Sequence, residues 1–210
     1  MIQKRLLLKE RLLNTLDNTF QNDGFKLDKS AVEFTKKTIA GWYKYQIIFL
    51  ERGCWELIAG MLVRDDTVEN IFHKTSEFNN QHKKRTPTIG ISVENYLHDQ
   101  TGNFRFFLKD ETDIPVAANS LISLYYHYAS PFFKKYENIS EIEKDVNADI
   151  NDTSLTGPIF KGSKGIILAK LCNKENFENL QRGYYEYYSN FSGGFYLPSF
   201  KKLTAYLKDI

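Results

Sequence analysis

Residues 42–63 read WYKYQIIFLERGCWELIAGMLV. Two runs rich in aromatic and branched apolar residues, 42–50 and 55–63, flank Glu51, Arg52 and Gly53, and a connection that short joins antiparallel neighbours. In the first run Tyr43, Tyr45, Ile47 and Phe49 alternate with Trp42, Lys44 and Gln46, which gives one apolar face and one polar face. The second run does not alternate. Either Trp55, Leu57, Ala59 and Met61 or Cys54, Glu56, Ile58 and Gly60 could turn inward, and a bulge near Gly53 would decide between them.

Working outward, Val32 and Phe34 alternate with Glu33 and Thr35 in a shorter strand, and strands return over 88–96 and 104–109. Ile2, Leu6, Leu13, Leu16 and Phe20 recur at helical spacing before a stop at Asn22-Asp23-Gly24. Asp65 or Asp66 can cap a helix with Val68, Ile71, Phe72 and Thr75 on its apolar side, ending near Asn79-Asn80. Pro115 opens a helix that carries Leu121, Leu124, Tyr125 and Tyr128, and Ser140 to Glu143 has capping-box spacing. Residues 147–164 are polar and hold Gly157, Pro158 and Gly162, as an ordered loop or linker does; helices alone are expected beyond them. The order predicts an α+β fold: a mainly antiparallel five-stranded sheet packed on one face by helices, with an all-helical C-terminal extension. The expected domains are 1–136 and 137–210.

The helix ending in Asn22-Asp23-Gly24-Phe25, the entry Gly41-Trp42 into two long strands, and Pro131-Phe132-Phe133-Lys134-Lys135-Tyr136 together resemble an uncharacterised bacterial family, domain of unknown function 4304. The resemblance covers about the first 136 residues and leaves the C-terminal third outside. It implies the order of the fold and brings no established activity or site residues.

Composition bounds the function. The chain has 28 Lys plus Arg against 26 Asp plus Glu, a net charge of +2, so its overall field does little to steer polyanions. Cys54 and Cys172 are the only cysteines, which excludes a cysteine-rich zinc site or a dense disulfide framework and fits a reducing cytoplasm. No run approaches the roughly 18 apolar residues of a membrane span.

The motif-like stretches point mostly to structure. Gly157 to Lys164, GPIFKGSK, nearly spells the phosphate-binding loop, but Ser and Lys are transposed and the preceding residues are too polar for a buried strand. Free amides near Gly162 to Gly165 could still hold an anion. No two of His73, His82, His98 and His127 lie three or four residues apart, so no metal-binding spacing is present. No catalytic constellation, metal or cofactor is expected. The cluster His82, Lys83, Lys84 and Arg85 is the one basic candidate for nucleic acid, although no RNA-binding pattern accompanies it and a solvated loop explains it.

The polar sheet face is the candidate for a protein partner. Trp42, Lys44 and Gln46 fall on it from one strand, with Glu94 and Arg105 from the later two. An ordinary solvated sheet face is the competing explanation, while an exposed tryptophan beside arginine suits a binding anchor. The functional expectation is therefore a non-enzymatic cytoplasmic binding protein, an inhibitor or immunity-type partner of another protein. The alternatives are an enzyme whose site is assembled from distant residues, or an RNA-associated protein using the 82–85 loop. Near the C-terminus, 182–200 holds eight aromatics. Tyr184, Tyr187, Tyr188, Phe191 and Phe200 suit a helical-hairpin core, which leaves Tyr185, Phe195 and Tyr196 without assigned partners.

Overall fold

The computed structural model describes residues 2–210, with side chains from Arg5 onward, so the Ile2 side chain of the expected stripe lies outside the described residues. Helix α1 (Ile2–Phe20) leads into strands β1 (Lys26–Asp28), β2 (Glu33–Lys37), β3 (Gly41–Arg52) and β4 (Cys54–Asp65). Then come α2 (Asp66–Thr75), α3 (Asn80–Lys83), β5 (Ile89–Ser92), α4 (Val93–Tyr96) and β6 (Arg105–Leu108). Helix α5 (Ile114–Leu124) continues through a π-helical turn, Tyr125–Ala129, into α6 (Ser130–Lys135). Helices α7 (Ile139–Asn147), α8 (Lys161–Cys172), α9 (Phe177–Asn190) and α10 (Leu197–Lys208) complete the order.

The fold is α+β. Its sheet has the order β1-β2-β3-β4-β5, with β6 also paired to β4. The five expected strands are present, and the three-residue β1 adds a sixth by pairing antiparallel with β2. The strand expected over 88–96 stops at Ser92, because the Ser92 hydroxyl accepts a hydrogen bond from the Asn95 amide at 3.2 Å and caps α4. Val93 and Glu94 thus sit on a helical turn. No helix among the described residues is long and apolar enough to cross a membrane.

The chain divides into two compact units, Met1–Val63 with Ile91–Lys134, and Arg64–Gly90 with Lys135–Ile210. Residues 64–90, expected in the sheet domain, belong instead with the C-terminal helices, because α2 packs against α8 and α10.

In the first unit α1 buries Leu8, Leu12, Leu16 and Phe20, one helical turn apart, while Leu6, expected inside, is exposed. The buried stripe thus follows the four-residue spacing from Leu8. The Phe20 ring meets Phe34 at 4.8 Å, Tyr125 at 4.9 Å and Tyr45 at 5.4 Å, all edge-on. The Tyr45 hydroxyl donates to Leu121 O at 2.8 Å, tying β3 to α5. Each such buried side chain contributes about 1.5–3 kcal/mol. Val32 takes a left-handed φ of 59° ahead of β2, yet its side chain is buried as expected.

Register settles β4. Trp55 and Leu57 oppose Leu108 and Phe106 of β6, and the Trp55 indole donates to Arg5 O in α1 at 3.1 Å. The series from Trp55 to Val63 therefore faces the helices. Glu56, Ile58 and Gly60 turn to the opposite face, where Gly60 lies against Gln46.

In the second unit Asp65 caps α2, accepting from the Thr67 and Val68 amides at 2.8 and 3.1 Å. Asn138, rather than Ser140, caps α7, accepting from the Ser140 amide at 2.9 Å. Helices α8 and α9 approach closely at two glycines. A Cβ on Gly162 would lie 2.5 Å from the Tyr188 ring, and one on Gly165 would lie 2.3 Å from the Tyr184 hydroxyl. Of the two glycines in the near-phosphate-loop, Gly162 thus serves helix packing while Gly157 takes a left-handed φ of 71° with open space around it, and the Ser163 amide donates to the Tyr188 hydroxyl at 3.1 Å.

Candidate functional site

The sheet-face residues form two ion-paired groups in the first unit. Lys44 Nζ lies 2.6 Å from Glu33 Oε2 and 4.5 Å from the centre of the Trp42 ring, and the Gln46 amide donates to Glu33 Oε1 at 3.3 Å. Arg105 donates to both oxygens of Glu94, at 2.7 and 3.1 Å, and to Glu56 Oε1 at 2.8 Å. Glu33, Lys44, Glu56 and Glu94 are buried and Trp42 is half-buried. These charges neutralise one another and accept burial, while Lys37 and Phe107 of the same face stay exposed.

The basic cluster belongs to the second unit. Asn79 caps α3, accepting from the His82 amide at 2.9 Å, so 80–83 is a helical turn rather than a loop. Lys83 turns inward and donates to His73 O at 3.2 Å. His82, Lys84 and Arg85 are exposed.

The second unit also holds an arrangement that sequence reading missed. Glu69, one turn before His73 on α2, is fully buried. Its carboxylate accepts from Thr86 Oγ1 at 2.6 Å and Thr88 Oγ1 at 3.1 Å, and pairs with Lys164 Nζ at 3.1 Å. Lys164 is buried as well and donates to Pro87 O. Arg64 binds Asp66 Oδ1 at 2.6 Å and the carbonyls of Lys83 and Thr86 at 2.8 Å. Burial pulls the Lys164 pKa down, and Glu69 draws it back up.

His73 is held at both nitrogens, Nδ1 at 2.7 Å from Ser76 Oγ and Nε2 at 2.8 Å from Thr86 Oγ1. The single Thr86 hydroxyl proton goes to Glu69, so Nε2 must carry the proton of the second contact, and Nδ1 accepts from Ser76. Burial first, then the charges of Arg64, Lys83 and Lys164, push His73 from 6.5 down to about 4. The imidazole is neutral at neutral pH.

Directly against this network lies a cleft of about 570 Å³, lined by Phe72, Phe78, Phe160, Phe195, Tyr196 and Leu203, with Thr75, Ser76, Ser163, Ser199 and Glu77 at its polar positions. Phe72 and Phe160 meet edge-on at 5.8 Å. Lys164 Nζ lies 5.8 and 5.3 Å from their centres, so these rings line the cleft and also contact the buried ammonium. Phe195 is three-quarters exposed. It follows Ser192, Gly193 and Gly194, all in the left-handed region with φ of 51°, 62° and 81°. That turn carries Phe195 and Tyr196, two of the rings left unassigned in the sequence, to the cleft; Tyr185, the third, receives Lys201 Nζ at 5.2 Å. Tyr184, Tyr188 and Phe200 are core residues.

The sequence signals that bear on the buried network are the Glu69-x-x-x-His73 spacing and Lys161 and Lys164 beside the apolar run Ile166 to Ala169 of α8. Among the described residues, no group of three or more His, Cys, Asp and Glu side chains is placed to hold a metal ion. The chain matches no family model, no curated protein and no solved structure.

Proposed function

We propose that the chain is a non-catalytic binding protein whose site is the aromatic cleft of the second unit, taking a small ligand with an apolar body. The observation that carries this reading is the gathering of five aromatic rings from three separated segments around one cleft, which stays open although Phe72, Phe78 and Phe160 touch one another, as do Phe195 and Tyr196. A volume of about 570 Å³ suits a small organic molecule, and apolar walls with a few polar groups are the usual build of such sites. The neighbouring titratable groups support binding over chemistry: Glu69 is saturated by three partners, and both His73 nitrogens are engaged.

The test is ligand-observed NMR with a set of apolar ring compounds on the wild-type chain and on Ser199→Trp, an exposed position at the cleft. Compounds should bind the wild type and be blocked by the tryptophan. Binding unaffected by Ser199→Trp contradicts the reading.

A protein partner on the sheet unit is the second reading, supported by Ile39, fully exposed between β2 and β3 a few residues from Trp42. It predicts that Trp42→Ala abolishes capture of a protein partner from the native cell without changing the unfolding midpoint. Unchanged capture removes it.

A further inference from the structure

Three hydroxyls of the cleft, those of Thr75, Ser76 and Ser163, are committed as donors to the protein itself. Ser76 gives its hydroxyl proton to His73 Nδ1, since Nε2 carries the imidazole proton. The Tyr188 hydroxyl donates to Ile159 O at 2.8 Å, so at its 3.3 Å contact with Ser163 Oγ the serine is the donor. The Thr75 hydroxyl is directed to Phe72 O at 3.5 Å. Three hydroxyls thus send their protons into the protein and offer lone pairs to the cleft. Glu77, the one charged side chain of the lining, adds an exposed carboxylate. Around these acceptors stand aromatic rings, whose faces attract cations; Phe72 and Phe160 already contact the Lys164 ammonium, which Glu69 neutralises.

We propose that the ligand of this cleft is a protonated amine carried on an apolar or aromatic body. The ammonium supplies N–H donors to these lone pairs, Glu77 supplies the counter-charge, and the rings cover the body. The inference rests on the cleft being the binding site, and matched probes separate the two claims. Phenethylammonium and propylbenzene differ by an ammonium against a methyl group. Each is titrated into the intact chain at neutral pH and followed by NMR of the phenylalanine rings. Phenethylammonium should bind about tenfold more tightly than propylbenzene. Glu77→Gln should remove most of that preference and leave propylbenzene binding unchanged. Equal or tighter binding of propylbenzene, or an ammonium preference untouched by Glu77→Gln, overturns the amine inference while the cleft itself stands. If neither probe perturbs the cleft rings at millimolar concentration, both claims fall.

Discussion

The two units are held together by different physics. The first packs an apolar helical stripe, Leu8 to Phe20, onto an apolar sheet face, with Phe20 touching Phe34, Tyr45 and Tyr125. The second sets a charged cluster, Glu69 with Lys164, Arg64 and the neutral His73, among helices brought close by Gly162 and Gly165. An apolar core loses stability in proportion to the volume removed. A buried ionic core depends on matched partners, since a lone buried charge is far worse than none.

That contrast can be broken most strongly at its two centres. Phe20→Ala should cost about 3–5 kcal/mol through the cavity it leaves. Glu69→Leu should cost a similar 3–5 kcal/mol for a different reason, the stranding of Lys164. The difference appears in the rescue: Glu69→Leu with Lys164→Met should recover most of the loss, because Arg64 keeps Asp66 and two carbonyls. Urea unfolding of the single and double variants measures this; a double variant no better than Glu69→Leu would show that the pair is not the critical feature.

Gly165→Ala should cost about 1–3 kcal/mol by overpacking against Tyr184, and Gly53→Ala, where nothing stands within 4 Å of the new Cβ, separates clash from the strain of a left-handed φ. A thermal melt in which Gly165→Ala equals wild type would refute the close approach of α8 and α9.

Acid probes the same cluster more gently. The folded unit keeps His73 neutral down to about 4, whereas the unfolded chain protonates it below 6.5. Its contribution to stability is therefore complete above pH 6.5 and lost as pH falls toward about 4. His73→Gln should flatten the urea midpoint across that window relative to wild type, and parallel profiles would contradict the assignment. The smallest effect is expected at the exposed pair Arg11 and Glu111, where Glu111→Gln should change stability by less than about 0.5 kcal/mol.

The same contrast explains what the sequence made legible. Alternation in 42–50 correctly placed Tyr43, Tyr45 and Ile47 inward, and Asp65 was readable as a cap, because both signals lie within a few residues. The non-alternating 55–63 strand needed its register against β6, and the turn into α4 needed the Ser92 cap. Lys164 read as part of a failed phosphate motif because its partner Glu69 lies 95 positions away. The cleft was invisible for the same reason: Phe72, Phe160 and Phe195 sit on segments far apart in the chain, and no local period links them.

The most direct measurement is aromatic NMR of the phenylalanine-labelled chain during titration with phenethylammonium. The account predicts shifts confined to Phe72, Phe78, Phe160 and Phe195, with Phe20 and Phe34 of the sheet unit unmoved. Shifts centred on the sheet unit, or no shifts at the cleft, would contradict it.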